Sequence, residues 1–113
     1  MMMRKTLPMM ALLSALGGCG WTVGGAREAY AQKWCNYYVG CQQVGSGKHY
    51  ASTDDCLTSE RANALSLWPT DTCDGKINAK ALDTCLTAID STQCNTIDQV
   101  LTLAKCTSNS VCN

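Results

Sequence analysis

The sequence predicts an all-α domain of four short helices, stapled by disulfide bonds and preceded by an N-terminal targeting segment. Three observations predict this fold class. Apolar residues recur at three- and four-residue intervals, no stretch alternates apolar and polar residues as a half-buried strand does, and eight of the nine cysteines fall after residue 34. A chain of 113 residues has room for one small domain at most.

The first nineteen residues are typical of an exported lipoprotein precursor. Arg4 and Lys5 form a positive n-region, and the apolar run over 7–16 is shorter than the roughly 20 residues that a membrane-spanning helix needs. Leu16-Gly17-Gly18-Cys19 then resembles the lipobox of bacterial lipoproteins, in which small residues precede the cleaved bond and the cysteine thiol takes the lipid. We therefore expect a signal peptide over 1–18 and lipidation at Cys19.

The cysteine count supports a separate role for Cys19. Without it eight cysteines remain, the even number that a complete disulfide set requires. The alternative is an ordinary signal peptide whose Cys19 joins that set.

In enteric bacteria an aspartate after the lipidated cysteine retains a lipoprotein in the inner membrane. Gly20 at this position therefore favours the outer membrane, on its periplasmic or surface face. Residues 19–25 are expected to be the lipidated cysteine and a short tether, and 26–113 the helical domain.

The first predicted helix runs from Ala26 to about Val44 and carries an aromatic stripe. Its rings are at helical spacing on one side, with one ring beside them: Tyr30, Trp34, Tyr37 and Tyr38. Such a stripe usually enters the core. The alternative is an apolar groove that holds a lipid or another small apolar ligand, and a pocket between the first and third predicted helices would favour it.

The second predicted helix opens at Thr53-Asp54-Asp55, where acidic side chains suit the positive end of the helix dipole, and Pro69 ends it. Its apolar face is expected to comprise Leu57, Ala64, Leu65 and Trp68. A turn is expected over 71–75.

Two further helices complete the predicted bundle. Asn78 caps the third, whose stripe is Leu82, Cys85, Leu86 and Ile89. A capping box over 96–99 opens the fourth. Its apolar residues repeat the same spacing, which predicts a core-facing stripe: Ile97, Val100, Leu101 and Ala104. The tail from residue 107 is polar apart from Val111 and Cys112.

The eight remaining cysteines are expected to form disulfides: Cys35, Cys41, Cys56, Cys73, Cys85, Cys94, Cys106 and Cys112. Cys35 and Cys41 lie six residues apart on one helix, about 9 Å along its axis, which is beyond the reach of a disulfide. Each must therefore pair with another segment. Eight cysteines allow 105 pairings, and Cys41–Cys56 and Cys35–Cys85 are two hypotheses among them.

Charge and composition exclude several functions. Without Arg4 and Lys5 the chain keeps seven basic and nine acidic side chains, so it has no basic patch and no nucleic-acid partner is expected. His49, the single histidine, lies in a glycine-rich loop and is expected to be exposed. No nucleophile, base or metal-ligand motif stands out, so we expect no catalytic residues, no metal, no cofactor and no enzyme activity. Storage of Cu(I) by free thiols is a weaker alternative.

The cysteine spacing on amphipathic helices resembles that of small cysteine-rich lipoproteins of the myxobacterial type, found in myxobacteria and related Gram-negative bacteria. The segments that carry the resemblance are the lipobox, Trp34-Cys35, Cys41, Asp55-Cys56-Leu57, Cys73-Asp74, Ala81-Leu82-Asp83-Thr84-Cys85-Leu86, Cys94 and Cys106. This resemblance implies membrane anchoring and disulfide stapling, and it implies no activity.

The sequence therefore favours a non-enzymatic structural or interaction module of the cell envelope. Its expected partners are the membrane, through the N-terminal lipid, and an envelope protein. A periplasmic carrier of a small apolar ligand or lipid is the alternative function.

Overall fold

A computed structural model describes residues 20–113, so the predicted signal peptide over 1–18 and Cys19 lie outside the described residues. Within that range the chain forms six helical segments: α1 (Val23–Gly40), α2 (Thr53–Leu67), α3 (Thr70–Cys73), α4 (Ala79–Asp90), α5 (Thr96–Leu103) and α6 (Ser108–Val111). Strand-like pairing in residues 20–113 is limited to two isolated bridges. The predicted all-α fold is confirmed, with two single-turn helices added to the four that were expected.

Side-chain caps begin the four longer helices. In each, an oxygen of the capping side chain accepts a hydrogen bond from the backbone N–H three residues further on; the caps are Thr22, Ser52, Asn78 and Asn95. Only Asn78 is the cap that the sequence predicted. Because Thr22 caps α1, residues 23–25 of the predicted tether are helical, and the helix begins three residues before Ala26.

The first helix also ends earlier than expected. Gln42 has a φ of 59°, in the left-handed region that does not continue an α-helix. Beyond it, the Tyr50 N–H donates to the Gln43 carbonyl, and the Gly45 N–H donates to the Tyr50 carbonyl. These bonds close a compact loop over 43–50, so the prediction of a helix through Val44 is wrong.

The core forms where α1 packs against α2 and α4. Trp68, fully buried just after α2, lies at its centre: its ring meets Tyr30 edge-on at 5.2 Å, and its indole N–H donates to the Cys106 carbonyl at 2.9 Å. The Arg27 guanidinium donates twice to the Trp68 carbonyl, at 2.9 and 2.7 Å. One residue thus ties α1, the end of α2 and the segment after α5 together.

Four disulfides join all eight described cysteines: Cys35–Cys56, Cys41–Cys94, Cys73–Cys112 and Cys85–Cys106. The expectation of a disulfide-stapled domain is confirmed, and so is the inference that Cys35 and Cys41 pair with other segments. The two hypothesised pairings, Cys41–Cys56 and Cys35–Cys85, are wrong. The loop over 43–50 turns the chain back along α1, so the first turn of α2 reaches Cys35, while Cys41 meets the segment that follows α4.

The inward face of α2 differs from the predicted one. Cys56, Glu60 and Ala64 are buried at four-residue spacing, and Leu65, expected in the core, is exposed. The C-terminal tail also contributes to the core. Val111 of α6 is fully buried, because the Cys73–Cys112 bond and a hydrogen bond from the Asn78 N–H to the Val111 carbonyl draw the tail inward.

Within residues 20–113, no helix combines the length and the apolar character that crossing a membrane requires.

Candidate functional site

The aromatic stripe of α1 lies mostly in the core. Tyr30, Trp34 and Tyr37 are 4%, 3% and 9% exposed, and the Trp34 ring meets Tyr37 edge-on at 5.1 Å. Tyr38 is half-buried and stacks on the exposed ring of His49 at 4.9 Å. The core interpretation of the stripe therefore matches its packing, and His49 is exposed as expected.

A hollow does open between α1 and α4, the helices that correspond to the first and third predicted ones. Its volume is about 270 Å³, and among the stripe residues Tyr37 alone lines it. The Lys33–Asp90 ion pair, with Nζ to Oδ2 at 2.6 Å, lies among its lining residues. Because charged and polar side chains make up much of its lining, this hollow is a poor match for a lipid chain.

A second hollow, which we call the Glu60 pocket, lies where α1, α2 and α5 meet. It measures about 210 Å³ and is lined by Tyr30, Trp34, Tyr38, Glu60, Asn63, Gln99 and Leu103. Three of the four predicted groove residues thus come together here. The unexpected member is Glu60, a carboxylate that is only 4% exposed.

Neutral donors hold the Glu60 carboxylate. The Tyr50 hydroxyl donates to Oε2 at 2.6 Å, and the Asn63 amide donates to Oε1 at 3.3 Å. Burial, together with the negative charge of Glu60, raises the pKa of Tyr38 to about 12 and raises the pKa of Tyr30 as well. The phenols of the pocket therefore stay protonated at neutral pH.

Trp34 brings a polar atom without a partner to this region. Its indole Nε1 is buried and donates no hydrogen bond, although the Tyr30 hydroxyl lies near it. A buried donor without an acceptor is rare in folded proteins, because it loses its hydrogen bonds to water without replacement.

Glu60 was not predicted as a site residue. A detectable signal was its spacing, since it lies midway between Cys56 and Ala64 on one helical stripe. Gln99 and Leu103 could not be assigned to the pocket from sequence, because their position depends on how α5 docks.

α5 turns its apolar residues away from the core. Ile97, Val100 and Leu101, which form what we call the α5 apolar face, are 76%, 60% and 59% exposed. Polar contacts hold its other side: the Gln99 amide donates to the Tyr37 hydroxyl at 2.9 Å, and the Thr102 hydroxyl lies 2.6 Å from that of Thr92. The prediction that the stripe from Ile97 to Ala104 faces the core is wrong.

Disulfides at both ends fix this orientation. Cys94, next to the α5 cap Asn95, is bonded to Cys41, and Cys106, three residues beyond the helix, is bonded to Cys85. Because the two covalent ties and the polar contacts lie on the inner side, the helix presents Ile97, Val100 and Leu101 to solvent.

The described residues contain no group of three or more His, Cys, Asp or Glu side chains arranged to hold a metal ion. Cu(I) storage would need free thiols, whereas the described cysteines are all oxidised.

Comparison with known proteins identifies a family. A family model described as a family of unknown function, DUF6184, matches residues 35–113, a segment that contains all eight paired cysteines and most of the Glu60 pocket. No curated protein matches the chain, and no solved structure matches it.

Proposed function

The chain belongs to DUF6184, a family of unknown function, and we propose that it is a lipid-anchored, non-enzymatic interaction module of the cell envelope. The observation that carries the proposal is the α5 apolar face, which two disulfides hold outward. Exposed apolar patches of a few hundred Å² on a monomer commonly serve as contact surfaces.

The cysteine pairing supports the anchoring part of the proposal. All eight cysteines after residue 34 pair with one another, which leaves Cys19 available for the lipid. Four disulfides also suit a protein that works in the oxidising environment outside the cytoplasm. The positive n-region and the apolar run over 7–16 supply the signal for export, and the lipobox ending at Cys19 supplies the signal for lipidation. Gly20 favours the outer membrane.

We assign a second copy of the chain as the partner of the α5 apolar face. In a two-fold contact each surface meets itself, so a charged surface would repel its own copy. Ile97, Val100 and Leu101 carry no charge, and this face is therefore compatible with itself.

The small size of the face indicates where pairing occurs. A helix of eight residues is about 12 Å long, and a stable interface buries about 800 Å² on each partner. The α5 apolar face alone would therefore pair weakly in solution. Anchoring confines the copies to one membrane surface and raises their effective concentration, which favours pairing there.

Photo-crosslinking in intact cells tests the contact. A benzoylphenylalanine at Val100 is expected to yield a crosslinked dimer of the chain, whereas the same probe at Thr58, an exposed position on α2, is expected to yield none. Loss of the dimer when Leu101→Glu is added would support the α5 apolar face. A crosslink from Val100 to a different protein would overturn the second-copy assignment, and no crosslink would overturn the contact surface.

Intact-mass measurement and fractionation test the anchor. The membrane-extracted chain is expected to carry the lipid mass and to take eight alkyl groups after reduction but none before it. Cys19→Ser is expected to release the chain from the membrane fraction or leave it as an uncleaved precursor. Unlipidated wild-type chain, or thiols that alkylate without reduction, would contradict the proposal.

A further inference from the structure

The Glu60 pocket contains a buried negative charge that the described chain does not neutralise. Glu60 is 4% exposed on the inward face of α2. The ion pairs within residues 20–113 are Lys33–Asp90 and Arg61–Glu28, and neither includes Glu60. Arg61, its sequence neighbour, is paired with Glu28.

The two hydrogen bonds that Glu60 accepts come from neutral groups, the Tyr50 hydroxyl and the Asn63 amide. Burial of a carboxylate is costly unless a cation or several hydrogen bonds compensate for the lost water. A cation that enters the pocket would supply the missing charge, and this identifies the sign of the ligand.

The remaining walls identify the kind of cation. Tyr30, Trp34 and Tyr38 line the same hollow, and aromatic rings attract organic ammonium ions through the negative potential of their faces. A carboxylate combined with several rings suits an ammonium with alkyl substituents better than a bare metal ion, which prefers several oxygen ligands.

The pocket volume of about 210 Å³ corresponds to about seven water molecules at roughly 30 Å³ each. A ligand of similar bulk has about seven non-hydrogen atoms.

We propose that the Glu60 pocket binds a small organic ammonium ion. The cation lies against the Glu60 carboxylate and the aromatic rings. This site is independent of the proposed pairing through α5, since Ile97, Val100 and Leu101 do not line the pocket.

Such an ammonium could be a free solute or part of a lipid head group, and the pocket favours the free solute. Its lining contains no lysine or arginine, so a phosphate next to the ammonium would find no positive partner and would lie near Glu60. We therefore expect phosphorylated analogues to bind more weakly than the unphosphorylated ion.

Calorimetric titration of the full-length chain, extracted in a non-ionic detergent, tests the proposal. Choline is the probe, and 3,3-dimethylbutan-1-ol is its neutral counterpart of nearly the same shape. Choline is expected to bind at least about 30-fold more tightly, the ratio that corresponds to about 2 kcal/mol for one desolvated cation–aromatic contact. Equal affinity for the two compounds, or no binding of choline and ethanolamine, would overturn the proposal.

Variants locate the site. Glu60→Gln keeps the shape and removes the charge, and it is expected to weaken choline binding and to reduce the preference for choline over its neutral counterpart to the part that the aromatic rings supply. Glu28→Gln, which removes an exposed carboxylate on the outer side, is the matched control and is expected to leave choline binding unchanged. An affinity for choline that is unchanged in Glu60→Gln would place the cation elsewhere and overturn the assignment. Phosphocholine that binds as tightly as choline would still support ammonium recognition, and it would identify a lipid head group as the source.

Discussion

At the scale of single residues, two glutamates of the same chain have opposite environments. Glu28 lies on the surface of α1 and accepts two hydrogen bonds from the Arg61 guanidinium, both at 2.8 Å. Glu60 is buried on α2 and accepts hydrogen bonds from neutral donors. The difference follows from the helix face that each residue occupies. Glu28 lies at the solvent-exposed edge of the interface between α1 and α2, and Glu60 lies in its buried part.

The Glu28–Arg61 pair predicts a pH dependence of stability. The hydrogen bonds from Arg61, with a further one from Gln32, lower the pKa of Glu28 from 4.5 to about 2. The unfolded chain therefore takes up this proton at higher pH than the folded chain, and the pair stabilises the fold above about pH 4.5 and loses its contribution between pH 4.5 and 2. Because both side chains are about half exposed, solvent screens the pair and its contribution is small.

Urea unfolding of Glu28→Gln checks this expectation. The variant is expected to be slightly less stable than the wild type at pH 7 and equally stable near pH 2. Asp83→Asn, which removes an exposed carboxylate from α4, is the control. A stability difference for Glu28→Gln that stays constant across this range would show that Arg61 does not lower the pKa of Glu28.

At the scale of helices, α4 and α5 have the same apolar periodicity and opposite orientations. Leu82 and Ile89 of α4 are fully buried, whereas Val100 and Leu101 of α5 are exposed. Helical spacing shows which residues share a face, but it does not show which way that face points. For α5 the direction is fixed by the flanking disulfides and by the polar contacts of Gln99 and Thr102.

Leucine substitutions on the two helices are expected to differ sharply in their effect on stability. Leu82→Ala leaves a cavity in the core and is expected to cost about 2–5 kcal/mol. Leu101→Gln changes an exposed side chain and is expected to change stability by less than about 0.5 kcal/mol. Chemical unfolding of both variants, measured without membranes, makes the comparison. A loss for Leu101→Gln as large as that for Leu82→Ala would mean that α5 faces the core.

At the scale of the whole molecule, disulfides connect segments that the chain separates widely. Cys41–Cys94 joins residues 53 apart and closes the longest loop of the four bonds. In the chain-entropy model a loop of this length contributes about 4 kcal/mol by restricting the unfolded chain. Since the domain has a small core, a substantial part of its stability depends on these bonds.

Mild reduction of the folded protein is expected to open Cys41–Cys94 first. Cys94 is exposed and Cys41 is half-buried, whereas each of the other three bonds includes at least one cysteine that is 0% exposed. A reductant must reach a sulfur atom, so access governs the order of reaction. Partial reduction, alkylation and peptide mapping should label Cys41 and Cys94 before the other six cysteines. Earlier labelling of Cys85 or Cys106 would contradict the described packing.

The sequence by itself determined the helical class, the approximate positions of four helices, the Asn78 cap and the participation of all eight downstream cysteines in disulfides. These features depend on local periodicity, capping chemistry and cysteine count, which are properties of short segments. The tertiary structure alone decided the disulfide pairing, the outward apolar face of α5 and the burial of Glu60 and Val111. Each of these features depends on which segments contact one another in the folded chain. The loop over 43–50 and the disulfides at both ends of α5 fix those contacts, which join residues far apart in the chain.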